Sequence, residues 1–153
     1  MKTRMLFLSA LVILLSMIPL GVLAQGKYVP KTNEECYGTW TNEKGSLQKV
    51  VIFAGGWMNY TLISDTTPTY NEGTEQIETK WIDSESNIWY KFFGTITEGM
   101  GEGQKFQTLA RISKSGTVYE RVTAIVDEFN PKNYPTEVGP SGPNYVFFTR
   151  SGN

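Results

Sequence analysis

The residues of this chain that could form a site are aromatic and acidic rather than nucleophilic. The 153-residue sequence has no histidine and one cysteine, Cys36. Without imidazole there is no Ser-His-Asp triad, no Cys-His pair, no histidine-bound zinc, and no histidine acid or base near neutral pH. One cysteine excludes an internal disulfide and a cysteine-cluster metal site. Cys36 reads as a small, partly buried residue at the start of a strand. What remains is a set of rings at strand spacing: Trp40, Tyr60, Trp81, Tyr90, Phe92, Phe106 and Tyr145. Pointing inward, they would line a cavity for a small hydrophobic or aromatic molecule, with tyrosine hydroxyls orienting it. Packed more tightly, they would fill the interior instead.

Glu120 is the carboxylate expected on an inward apolar face, with Val118, Val122 and Ala124. There it needs a cation such as Arg111 or Arg150, a cationic ligand group or a proton, unless the strand faces the other way. Asp83, Glu85 and Asn87 alternate like the oxygen donors of a calcium loop, but without its glycine and terminal Glu they read as a hairpin turn. Gly99, Gly101 and Gly103 precede no helix, so they read as a flexible hairpin tip rather than a phosphate cradle. No metal and no cofactor is expected.

These side chains must be positioned by strands. Beyond Gln25 no window holds helical spacing, whereas short runs rich in Val, Ile, Thr and aromatics recur between Gly, Asn, Asp and Ser clusters. Eight runs are expected: 37–42, 48–54, 57–64, 74–83, 88–97, 104–113, 117–126 and 144–150. Gly55-Gly56 supplies a two-residue hairpin signal. The polar stretch 65–73 reads as a loop, and 127–143, with four prolines, as a long link holding one short helical turn near 127–129. Alternation places Tyr90, Phe92 and Ile96 on one face of the fifth run, and Phe106, Thr108, Ala110 and Ile112 on one face of the sixth. Ile77, Thr79 and Trp81 are expected inward in the fourth run, and Met58, Tyr60 and Leu62 in the third. The fold class is therefore all-β, an eight-stranded antiparallel up-and-down β-barrel. Eight strands give an interior just wide enough for side chains or one small ligand.

The start of the chain reads differently. Lys2 and Arg4 precede an apolar run from Met5 to Ile18, and Pro19 and Gly21 break it ahead of Val22-Leu23-Ala24. This is the layout of a cleavable signal peptide over 1–24, followed by a lead segment over 25–36 and the barrel domain over 37–150. The apolar run is short of a membrane span, and no lipid-acceptor cysteine follows it directly. Secretion or export to the periplasm is expected, with no stable membrane span. Of 14 Lys+Arg and 15 Asp+Glu, removing Lys2 and Arg4 leaves 12 against 15, a net charge of −3. The basic residues are scattered singly, which argues against nucleic acid.

Gly38-Thr39-Trp40 at the head of the first strand resembles the Gly-x-Trp signature of lipocalin-like (calycin-type) barrels. The resemblance implies that Trp40 packs across the closed end of the barrel under a late-strand basic residue, Arg150 first and Arg121 second. Gly38, Trp40 and Arg150 would then close the barrel. The family's helix before the last strand is not evident in 127–143, so the chain looks like a divergent bacterial-type relative. Gly38 to Ser46 is also similar to the first strand and turn of the avidin family, which would offer Asn42 and Ser46 to biotin. Lys44 and the lack of any Trp after Trp89 depart from that pattern.

The leading expectation is an exported, non-enzymatic lipocalin-like protein holding a small hydrophobic ligand at Trp40, Tyr60, Trp81, Tyr90, Phe92, Phe106, Glu120 and Tyr145. The rivals are a surface module with a filled core, whose loops at 65–73 and 127–143 contact a protein or glycan, an avidin-like biotin binder, and a barrel isomerase or cyclase using Glu120 or a tyrosine.

Overall fold

The computed structural model describes residues 28–31, 33–42, 47–52, 57–64 and 67–150. The expected signal peptide and the Gly55-Gly56 turn lie outside these residues. The protein is all-β, and the described residues contain no α-helix. Its strands are β1 (Gly38–Thr41), β2 (Leu47–Ile52), β3 (Trp57–Ser64), β4 (Thr67–Ile82), β5 (Ile88–Glu98), β6 (Lys105–Ile112), β7 (Val118–Val126) and β8 (Val146–Arg150). Each is antiparallel to the next in chain order, and β1 also pairs with β8 through Trp40↔Arg150 and Thr41↔Thr149. The sheet thus curls back onto its first strand.

Residues 67–73, expected in a loop, belong to β4, which begins at Thr67 and pairs with β3 as far as Ser64↔Thr67. Threonine and tyrosine favour the extended backbone there. Pro68 is tolerated because β5 reaches back only to Glu72↔Glu98, which leaves β4 unpaired on its other side at Pro68.

Two local devices shape the curl. The β4–β5 register shifts between Ile77 and Thr79, and such a bulge reverses the alternation beyond it. Ile77 is buried in the core, whereas Trp81 is 37% exposed. Gly94 lies between Glu75 of β4 and Phe106 of β6. A Cβ there would sit 1.9 Å from the Thr74 carbonyl oxygen and 2.6 Å from Phe106 Cζ, so only glycine lets the strands approach and the ring lie across.

The core is built from Trp40, Ile77, Tyr90, Phe92, Phe106, Ala110, Ile112, Tyr119 and Phe148. Trp40 and Tyr119 approach to 5.1 Å between ring centroids, and Tyr119 and Phe148 to 5.9 Å. Burying such rings is the main apolar contribution to the fold.

The inward face of β7 carries Tyr119 and Arg121, opposite to the sequence expectation. The apolar Val118, Val122, Ala124 and Val126 suggested the other facing; Val122 is buried, but from outside: a Cβ on Gly142 would lie 2.8 Å from its Cγ1, so the link crosses directly above it. The link is pinned there by Thr123 N–H donating to the Pro143 carbonyl at 3.0 Å. Its helical turn is a 3-10 turn at Pro131–Asn133, a few residues later than expected.

Candidate functional site

Three constellations gather the polar and aromatic groups. The first seals one end of the sheet. Arg150 lies 4.7 Å over the Trp40 ring and donates to the Glu35 carbonyl at 2.7 Å, while Trp40 Nε1 donates to the Cys36 carbonyl at 2.9 Å. The lead segment is tied down beside them. Glu34 accepts from Tyr28 Oη at 2.5 Å, Lys31 N at 2.8 Å, Lys80 Nζ at 2.8 Å and Tyr90 Oη at 3.2 Å. Glu35 accepts from Tyr90 Oη at 2.7 Å and pairs with Lys80. Burial works to raise both carboxyls, but the hydrogen bonds from Lys80, Tyr28, Tyr90 and the backbone outweigh it. Glu34 is lowered and Glu35 is held at about 2. Burial, reinforced by Glu34, pushes the Tyr28 hydroxyl up to about 12. Cys36 is fully buried and its thiol is raised by that burial, so it is a packed, unreactive residue.

The second constellation is internal. Arg121 Nη2 donates to Glu75 Oε1 at 2.7 Å and to Thr108 Oγ1 at 3.0 Å, and Thr108 bonds Thr123 at 3.0 Å. The two charged side chains are 2% and 0% exposed. Burial raises the Glu75 carboxyl and outweighs the opposing pull of Arg121. The carboxylate buried inside the sheet is thus Glu75, not Glu120, and Glu34 of the lead segment is buried as well. Glu75 shares strand parity with Ile77, so the signal was present in the sequence, whereas Arg121 was hidden by the misread facing of β7.

The third constellation is on the outer face. The pairs Trp81↔Trp89, Trp89↔Arg111, Arg111↔Glu120 and Glu120↔Phe147 form one row across five strands. The indoles are 5.8 Å apart and within 11° of parallel, and the Arg111 guanidinium lies 5.5 Å from the Trp89 ring. Arg111 Nε donates to Glu120 Oε2 at 3.0 Å, and Tyr145 Oη to Glu120 Oε1 at 2.8 Å. Burial, with Glu120 second, pushes the Tyr145 hydroxyl up to about 12.

Asp83, at the end of β4, accepts from Glu85 N, Asn87 N, Asn87 Nδ2 and, at 2.7 Å, from Trp89 Nε1. The indole bond is the main reason its carboxyl is held at about 2. The Asp83–Asn87 motif is therefore a hairpin turn that fixes the plane of Trp89. Beneath the link lies a cleft of about 660 Å³, lined by Trp81, Trp89, Lys91, Lys132, Tyr134 and Thr136 among others. Lys91 Nζ lies 4.9 Å from the centroid of the Tyr134 ring. The Tyr134 hydroxyl is buried, raised by that burial, and has no hydrogen bond of normal geometry. Among the described residues, neither Lys91 nor Lys132 pairs with a carboxylate.

The residues expected to line one cavity therefore separate. Trp40, Tyr90, Phe92 and Phe106 are buried inside. Trp81, Glu120 and Tyr145 are outside, the first because of the β4 bulge and the other two because β7 and β8 face the opposite way. Tyr60 lies in β3 opposite Val50 and Asn71, and its side chain is outside the described residues. Asn42 follows the end of β1 at Thr41, and Ser46 is outside the described residues. The lysines and Tyr134 were missed because the link that assembles the cleft has no sequence periodicity. Comparison with known proteins finds no matching family model, no matching curated protein and no matching solved structure.

Proposed function

We propose that the chain is an exported, non-enzymatic binding module built on an eight-stranded, lipocalin-like up-and-down barrel, with its binding surface on the outer face rather than in the interior. The pairing of β1 with β8 and the guanidinium over Trp40 support the barrel reading. The location of the site rests on one observation. The described interior is occupied by packed rings and a buried ion pair, while an exposed indole, a second indole held in plane by Asp83 and two lysines with no carboxylate partner among the described residues meet in an open cleft. Its volume of about 660 Å³ is within the usual range of about 300–1,000 Å³ for small-ligand sites. The cleft offers indole faces, two ammonium groups and an aromatic ring, and binding is the chemistry these groups support.

The test is a tryptophan-fluorescence titration with a panel of soluble saccharides and small apolar molecules, run on wild type and Trp81→Ala. Saturable quenching lost in Trp81→Ala supports the outer site. A response that survives in Trp81→Ala and comes from apolar ligands contradicts it and restores the interior carrier.

A further inference from the structure

The cleft's own chemistry narrows its ligand, and this step rests on the outer-face reading above. We infer that it takes an acidic oligosaccharide, with a pyranose ring on the exposed face of Trp81 and its carboxylate or sulfate groups on Lys91 and Lys132.

The platform comes first. Trp81 is 37% exposed and lies nearly parallel to Trp89, which is anchored on both sides, by Asp83 at Nε1 and by Arg111 over its ring. A rigid indole presents a flat, electron-rich face, and the electropositive C–H groups of a sugar ring pack well on it. The ring needs no ordering when ligand arrives, which removes part of the usual entropic penalty of binding.

The charges come next. Every negative group at the row already has partners: Asp83 accepts four hydrogen bonds, and Glu120 is held by Arg111 and Tyr145. Among the described residues the cations Lys91 and Lys132 have no carboxylate partner, and Lys91 sits above the Tyr134 ring. The cleft lining thus carries two lysines against one carboxylate, Asp83, beside a sugar-sized apolar face, with Glu78 acting on the Tyr134 hydroxyl. A neutral saccharide would leave both lysines unused. A simple aromatic anion would use the lysines but not the length of the cleft.

The experiment measures affinity by calorimetry for three probes: an α-1,4-linked galacturonic acid trimer, the neutral α-1,4-linked glucose trimer, and benzoate. The expected result is that the acidic trimer binds at least about tenfold more tightly than either other probe, and that raising the salt weakens it. Lys91→Gln and Lys132→Gln should each weaken it about fivefold, the scale of one exposed charge contact. Lys105→Gln, a charge change outside the cleft, should leave it unaltered. Equal binding of both trimers, or no loss in either cleft variant, overturns the acidic-ligand inference while leaving the outer site standing. Preferential binding of benzoate does the same. Failure of all three probes to bind the cleft overturns the inference, and if the saccharide panel also fails to reach Trp81, the outer-face reading falls with it.

Discussion

Replacing Arg121 by Met tests whether the interior is occupied as described. The substitution removes the only charged group hydrogen-bonded to Glu75 among the described residues and leaves a carboxyl that is 0% exposed without its cation. Breaking a buried pair from one side costs about 3–5 kcal/mol, a large share of the roughly 5–15 kcal/mol that holds an ordinary domain together. With a urea dependence of about 2 kcal/mol per molar, the unfolding midpoint should fall by about 2 M. The pH dependence has a definite sign. The folded-state pKa of Glu75 is raised, so the protonated form suits the interior. Its stabilisation is complete below the unfolded carboxyl value and is lost as pH rises through the folded one. Arg121 pulls that carboxyl down, and its loss raises it further, so the deficit of Arg121→Met should be larger at pH 7 than at pH 4.5. Adding Glu75→Leu should recover most of the loss, because an apolar pair of similar size is often as stable as a buried ion pair. A single variant within about 0.5 kcal/mol of wild type, well inside the surface-substitution range, would refute the inward facing of β7.

Three further outcomes follow from the geometry. Gly94→Ala should destabilise by about 1–3 kcal/mol in urea unfolding, since its Cβ would meet the Thr74 carbonyl and the Phe106 ring; an unchanged midpoint would contradict the close approach. Glu35 titrates at about 2 in the folded protein, so its stabilising contribution is present above its ordinary value of 4.5 and disappears as pH falls through about 2. The melting temperature of wild type should drop over that window, and Lys80→Met should show a shallower drop; equal slopes would argue that Lys80 does not hold Glu35. Trp81→Ala should abolish cleft binding while shifting stability by less than about 1 kcal/mol, because the ring is partly in water; a large loss of stability would make Trp81 a core residue.

Much of the fold is legible in the residues, and the failures have particular causes. The runs at 88–97 and 104–113 carry their expected inward residues on one face, and β5 and β6 follow them with Tyr90, Phe92 and Phe106 buried. Alternation failed where a second layer intervened. Val122 is apolar because the link covers it, not because it faces the core, and with Val118, Ala124 and Val126 it made the outer face of β7 look like the inner one and moved attention from Arg121 to Glu120. It also failed at the β4 bulge, which no local pattern announces, so Trp81 was placed inside when it stands outside. Glu34 and Lys80 meet across 46 residues of sequence. Contacts of that kind depend on where the lead segment crosses the sheet, which periodicity does not encode. The cleft is the extreme case: its lysines come from a strand and from an irregular link whose path is set by tertiary packing alone.

The most direct measurement follows the indole N–H signals by two-dimensional NMR during titration with the acidic trimer. Trp89 Nε1–H is bonded to Asp83 beside the cleft, whereas Trp40 Nε1–H is bonded to the Cys36 carbonyl inside the sheet. Binding on the outer face shifts the Trp81 and Trp89 signals and leaves Trp40 in place. A shift at Trp40 with Trp81 and Trp89 unmoved would put the ligand in the interior and contradict the outer site.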